Sequence, residues 1–124
     1  MTPGIYHLVI FMPENKLIKV GKLGTSYFLK GFYVYTGSAM NGIESRLSRH
    51  CRKNKHLHWH IDYLLLHSKI IKIIVHLTRE QLECKLNQKI LLLPNCQIPV
   101  RGFGSSDCNC VTHLAYFQLY PDSL

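Results

Sequence analysis

Apolar residues run through Ile5–Met12 with little alternation, which predicts a strand buried on both faces. Pro13-Glu14-Asn15-Lys16 then reads as a turn. Leu17–Val20 predicts a second strand, and Gly21-Lys22-Leu23-Gly24-Thr25 a hairpin connection. Tyr27–Leu29 and Gly31–Thr36 are aromatic and β-branched, as strands tend to be, and Gly37–Gly42 reads as a loop.

The period changes at Ile43. Ile43, Leu47 and Cys51 recur every four residues and predict a helix from Ile43 to Lys53, with those three as its apolar stripe. Arg46, Arg49 and Lys53 fall together on a different face. A second helix fits His58–His67, with Leu57, Ile61, Leu64 and Leu65 inward. Ile70–His76 predicts a strand. Thr78-Arg79-Glu80-Gln81 matches a capping box, opening a third helix that runs to about Leu93, where Pro94 stops it, with Leu82, Leu86, Ile90 and Leu93 inward. Gly102–Cys110 reads as a loop and Ala115–Tyr120 as a last short strand. That order predicts an α+β domain, with a small, mainly antiparallel sheet flanked by about three helices and an inserted hairpin around Leu17–Leu29.

Composition narrows the function more than the fold. At 124 residues and 47% hydrophobic, the chain predicts one domain, 1–124, with its own core. Its apolar content excludes intrinsic disorder, and its longest apolar runs fall short of the roughly 18 residues that span a bilayer. Fifteen Lys and Arg against seven Asp and Glu give a net charge of +8, which points to an acidic partner and to nucleic acid first. Five cysteines with no export signal predict reduced thiols and a cytoplasmic protein.

Two tyrosine motifs bear on chemistry. Gly4-Ile5-Tyr6 opens the first strand, and Tyr35-Thr36-Gly37 closes a later one. If the strands pair, both phenols project from one sheet face into a shared cleft, where a nearby cation favours deprotonation. Arg46 on the next helix and Glu83 on a later one complete an ordered set.

On these residues the sequence resembles the GIY-YIG nuclease superfamily. It is most similar to the small branch found alone or fused to endonuclease III-type glycosylases. The branch-like stretches are Val20–Gly24, Tyr33–Met40, Leu57–Leu65, Leu82–Leu86 and Gly102–Cys110, with His113-Leu114 just after. The second motif carries Thr36 where the superfamily has Ile. The resemblance implies a phosphodiesterase assisted by one Mg²⁺ or Mn²⁺. It makes Tyr6 the activator of the attacking water and Tyr35 the positioner of water or phosphate. Arg46 would neutralise phosphoryl charge, and Glu83 would hold the metal.

Other residues are auxiliary candidates. His50 is a second candidate for phosphate contact, and Arg49 and Lys53 extend the basic face beside Arg46. His58, His60 and Asp62 cluster around Trp59, either as a catalytic or phosphate-binding edge or as a capped, stacked structural group. Ser106 and Asp107 are polar enough to line the mouth of a site. Cys108, Cys110 and His113 offer zinc-ligand chemistry, with a fourth ligand needed from Cys51, Cys84 or a histidine. Loop-packing thiols are the preferred reading there. The expected function is a structure- or damage-selective endonuclease in DNA repair, DNA being favoured over RNA. The alternative is a non-catalytic nucleic-acid-binding module that works with a repair or RNA-processing partner. Target choice would come from this small surface, a homodimer or a repair protein. No membrane partner is expected.

Overall fold

The computed structural model describes residues 2–124. Its elements are β1 (Gly4–Met12), β2 (Lys16–Lys19), β3 (Thr25–Phe28), β4 (Gly31–Ala39), α1 (Ile43–Cys51), α2 (His60–Leu65), β5 (Lys69–Leu77), α3 (Glu83–Leu91) and β6 (Leu114–Phe117), with one 3₁₀ turn at Gly21–Leu23. A four-stranded sheet in the order β5-β1-β4-β6 carries the domain, and β2 with β3 forms a separate hairpin. Every pairing is antiparallel. The expected α+β class with an inserted hairpin is what the chain forms. None of the helices among the described residues is long and apolar enough to cross a membrane.

β1 is central, and it is the unalternating segment. Its position between β4 and β5 pairs both of its edges, so its two faces are left to be covered by other elements. Tyr6, Leu8, Ile10 and Met12 enter the larger core with Ile61 and Leu64 of α2. Val9, on the opposite face, packs with Val34, Ala115, Phe117 and Ile90 of α3. The helices therefore lie on both sides of the sheet, which is what a strand apolar on both faces requires.

Several boundaries move from the sequence expectations. β4 runs on through Gly37 to Ala39, because β1 supplies partners as far as Gly4, so this stretch is not a loop. α1 ends at Cys51, which is exposed, and the buried position on its last turn is His50. α2 is shorter than expected, and Leu57 lies before it and is exposed. The capping box at Thr78 does not form. The Thr78 hydroxyl instead accepts the Glu80 N–H in a local turn at 3.0 Å, and α3 starts at Glu83.

Two buried histidines have a pH consequence. His7 shares a 2.8 Å hydrogen bond with Thr36 Oγ1 and stands edge-on to His76. Thr36 thus satisfies a polar group inside the sheet. Burial, then the neighbouring His76, lowers His7 to about 4, and burial, then Lys55, lowers His50 to about 4. Both stay neutral in the fold and take up a proton when unfolded below the ordinary value of 6.5. The unfolded state therefore binds more protons between about pH 6.5 and 4, and stability falls as pH drops through that window, by about 3 kcal/mol for each histidine. Thermal melts from pH 8 to 4 are expected to show Tm falling steeply below pH 6.5. A flat profile would contradict the burial of these rings.

Candidate active site at the end of the fourth strand

The two tyrosine motifs meet because β1 and β4 pair antiparallel with Tyr6 opposite Gly37 and Leu8 opposite Tyr35. With a side-chain period of two, Tyr6 and Tyr35 then share one face. Their ring centroids are 6.4 Å apart. Gly37 makes the packing possible, since a Cβ there would fall 2.5 Å from the Tyr6 hydroxyl oxygen and 2.6 Å from Cζ. Gly37→Ala is expected to push Tyr6 out of place and cost about 1–3 kcal/mol, read as a lower midpoint in urea unfolding.

A polar cleft of about 570 Å³ opens beside this pair, over the end of β4. Tyr35, Gly37, Arg46, His58, Trp59, His60, Glu83, Ser106 and Asp107 are among its lining residues. Three elements separated in sequence, β4, α1 and α3, thus bring Tyr35, Arg46 and Glu83 to a common opening. Tyr6 does not line it. Tyr6 is 1% exposed and its hydroxyl shares a 2.6 Å hydrogen bond with His50 Nε2, so it backs the cleft instead of facing it. His50 is likewise 2% exposed and is the buried partner of Tyr6, which corrects its expected role as a phosphate contact. Its Nδ1 has no hydrogen-bond partner among the described residues.

Arg46 is held without being consumed. Nη1–H donates to the Ser38 carbonyl at 2.8 Å, and the guanidinium carbon lies 4.3 Å from the centre of the Trp59 ring. Burial would raise the Glu83 carboxyl, but hydrogen bonds from His113 and Ser38, with the charge of Arg46, hold it below its ordinary value. Glu83 is therefore an anion at neutral pH. Burial pushes the Tyr6 phenol up to about 12 against the pull of Arg46. Burial also raises Tyr35 well above its ordinary value, with Tyr6 and Glu83 adding to the effect. Both phenols are protonated at neutral pH.

Around Trp59 the structural reading of the histidine cluster holds for Asp62. The Asp62 carboxylate is fully buried, and it accepts two 2.9 Å hydrogen bonds from Arg49 and the backbone N–H groups of His58 and Trp59 at 2.8 and 2.9 Å. It caps α2 and does not reach the cleft. Arg49 is spent on that pair, on the His56 carbonyl and on the Trp59 ring at 4.2 Å, which removes it from the basic face. Lys53 reaches the Leu65 and Ser68 carbonyls at 3.4 Å, and Lys55 closes the end of α1 by donating to the His50 carbonyl at 2.9 Å. Of the stripe expected along α1, Arg49 is internal scaffolding, Arg46 lines the cleft and Lys53 stays exposed, because helix periodicity says nothing about which face the α2 segment covers.

His58 and His60 remain at the cleft, although His58 meets Asp62 only through its backbone. Gly104 N–H donates to His60 Nδ1 at 2.8 Å, and burial lowers His60 below its ordinary value. A neutral ring with Nδ1 accepting carries its proton on Nε2. Ser106 and Asp107 line the opening, as expected.

A single open-sided carboxylate beside polar groups suits a hard divalent cation, which takes one or two carboxylates and completes its shell with water and phosphate oxygens. Glu83 is that carboxylate, with Asp107 the other acidic group on the lining. On the far side of Glu83, Cys84, Cys108, Cys110 and His113 form a second cluster whose ligand atoms could bind a metal. Of the fourth ligands the sequence offers, Cys51, Cys84 or a histidine, the fold brings Cys84 to the group, a choice that spacing alone does not make.

No curated protein and no solved structure matches the chain. The family model described as "Domain of unknown function DUF123" matches residues 5–123, nearly the whole length, and the chain belongs to that family.

Proposed function

We propose that the chain is a divalent-metal-dependent endonuclease of GIY-YIG type, acting on the phosphodiester bonds of nucleic acid, with DNA favoured over RNA and repair the favoured setting. The observation that carries this reading is the convergence of Tyr35, Arg46 and Glu83 on one polar cleft. A Mg²⁺ or Mn²⁺ held by Glu83 would polarise a phosphoryl oxygen and stabilise the leaving oxygen. Arg46, fixed by Ser38 and Trp59, sets donors toward the charge that builds on the phosphoryl group. His60 presents its Nε2–H as a neutral donor at the same opening. Tyr35, which lines the same cleft, would orient the attacking water. Tyr6 and His50 form a buried hydroxyl–imidazole pair behind it that would hold the wall against which Tyr35 packs. The excess of eight positive charges favours a polyanionic substrate.

One observation favours a second reading, a nucleic-acid-binding module without catalysis. Tyr6 is shielded from the cleft and bonded to His50, so its hydroxyl is already satisfied. A panel of single-stranded, nicked, abasic and branched DNA and matched RNA, incubated with and without Mg²⁺ or Mn²⁺, separates the two. Metal-dependent cleavage supports the nuclease. Salt-sensitive binding with no cleavage of any substrate in either metal overturns it in favour of the binding module.

A further inference from the structure

Three thiols and one imidazole converge beside the cleft. Cys84 stands in the first turn of α3, and Cys108, Cys110 and His113 come from the loop that precedes β6. All four ligating atoms lie within 4.8 Å of one another. His113 Nε2 is 3.2 Å from Cys108 Sγ and 4.0 Å from Cys84 Sγ. The three cysteines are free thiols.

The geometry points to a closed zinc site in which Cys84, Cys108, Cys110 and His113 hold one Zn²⁺ and clamp the loop to the start of α3. The donor set is the first reason. Three thiolates and an imidazole suit a borderline-soft, tetrahedral ion, whereas Mg²⁺ and Ca²⁺ demand oxygen ligands. Size is the second. Bonds of about 2.0–2.3 Å to zinc place neighbouring ligand atoms roughly 3.5–3.8 Å apart. Small side-chain rotations bring a cluster already within 4.8 Å onto that tetrahedron.

The third reason is the other nitrogen of His113. Nδ1 lies 3.1 Å from the Thr36 carbonyl and 3.0 Å from Glu83 Oε2. A ligating histidine characteristically gives its second N–H to a carbonyl or carboxylate, which fixes the tautomer and aims the free lone pair at the metal. Loop packing explains one thiol near an imidazole. It does not explain three thiols facing an imidazole whose outer nitrogen is already engaged.

The ion would join residues 29 positions apart, Cys84 in the first turn of α3 and His113, across a stretch between α3 and β6 that holds only turns, bends and one isolated bridge. The clamped loop carries Gly104, which holds His60, and the lining residues Ser106 and Asp107. The zinc would thus set the shape of one wall of the cleft, whatever reaction occurs there.

Elemental analysis of the purified full chain is expected to find about one zinc per chain. Replacing that zinc with Co²⁺ is expected to give the intense thiolate-to-cobalt absorption and the visible bands of a tetrahedral site. Cys108→Ser with Cys110→Ser is expected to lower zinc occupancy by about tenfold or more, whereas Cys96→Ser leaves it unchanged. The cobalt spectrum needs no variant, so misfolding of the serine forms does not obscure the result. A chain folded by circular dichroism overturns the proposal if it holds no zinc and gives no thiolate–cobalt band. So does iron in place of zinc, or a disulfide among these cysteines detected by mass.

Discussion

For the proposed nuclease, Glu83→Ala is expected to abolish metal-dependent cleavage, lowering the rate by about 10³-fold or more while leaving the fold intact. The size follows from what this carboxylate does. It is the cleft carboxylate that His113, Ser38 and Arg46 keep ionised, with Asp107 the other acidic group on the lining. A divalent cation that loses Glu83 has only Asp107, substrate and water to hold it. Raising the metal concentration would recover part of the rate if Glu83 supplies affinity, and Glu83→Gln, of equal size, would behave like Glu83→Ala because it lacks the charge. Arg46→Lys is expected to recover little, since a compact ammonium does not reproduce the planar fork seated on Trp59. Tyr35→Phe and Tyr6→Phe split the roles of the two phenols. Loss of about 10²-fold in the Tyr35 variant with a smaller loss in the Tyr6 variant fits a water-orienting Tyr35 and a supporting Tyr6. Cleavage unchanged by Glu83→Ala would falsify the assigned mechanism.

Asp62→Ala is expected to cost about 3–5 kcal/mol of stability, measured as the shift of a denaturant-unfolding midpoint. The carboxylate is fully buried and holds four donors, two from Arg49 and two from the backbone at the start of α2. Removing it leaves the Arg49 guanidinium without its partner and the His58 and Trp59 N–H groups unsatisfied. Arg49 and Arg46 both rest on Trp59, so the loss would loosen the Arg46 side of the cleft as well. Burial would raise the Asp62 carboxyl, but Arg49 and the two N–H groups hold it below its ordinary value of 3.8. A depressed carboxylate contributes stability above its unfolded value and loses it as pH falls through the folded one. The Asp62 contribution is therefore complete at neutral pH and decays only below about pH 4. That places it on the acid side of the window assigned to His7 and His50. Asp62→Ala with unaltered stability would show that Arg49 and the helix start find other partners.

Much of this was legible in order and kind. The unbroken apolar run at Ile5–Met12 implied a strand covered on both sides, and it became the strand between β4 and β5 with helices over each face. Tyr35, Arg46 and Glu83 stand out in the sequence only through the resemblance of their motifs and order to the GIY-YIG nucleases. Capping was less legible. Thr78 offered the right side chain three residues before Gln81, but its hydroxyl closed a local turn instead, and α3 began at Glu83. The competing side-chain-to-backbone bond is local in both cases, so sequence spacing does not choose between them.

What the chain determined alone was its alternation, its periods, its net charge and the identity of each functional group. Those follow from residues adjacent in sequence. Which groups meet was decided by the tertiary structure, since that depends on strand register and on what each helix face covers. The β1–β4 register set Tyr6 behind Gly37 and left Tyr35 at the opening. The buried Asp62 claimed Arg49 out of a basic face that helical spacing alone had drawn as free, whereas Lys53 stays exposed with its ammonium near the Leu65 and Ser68 carbonyls. The return of the chain into β6 carried His113, Cys108 and Cys110 to Cys84, because only folding shortens a separation of 29 residues to ligand distance.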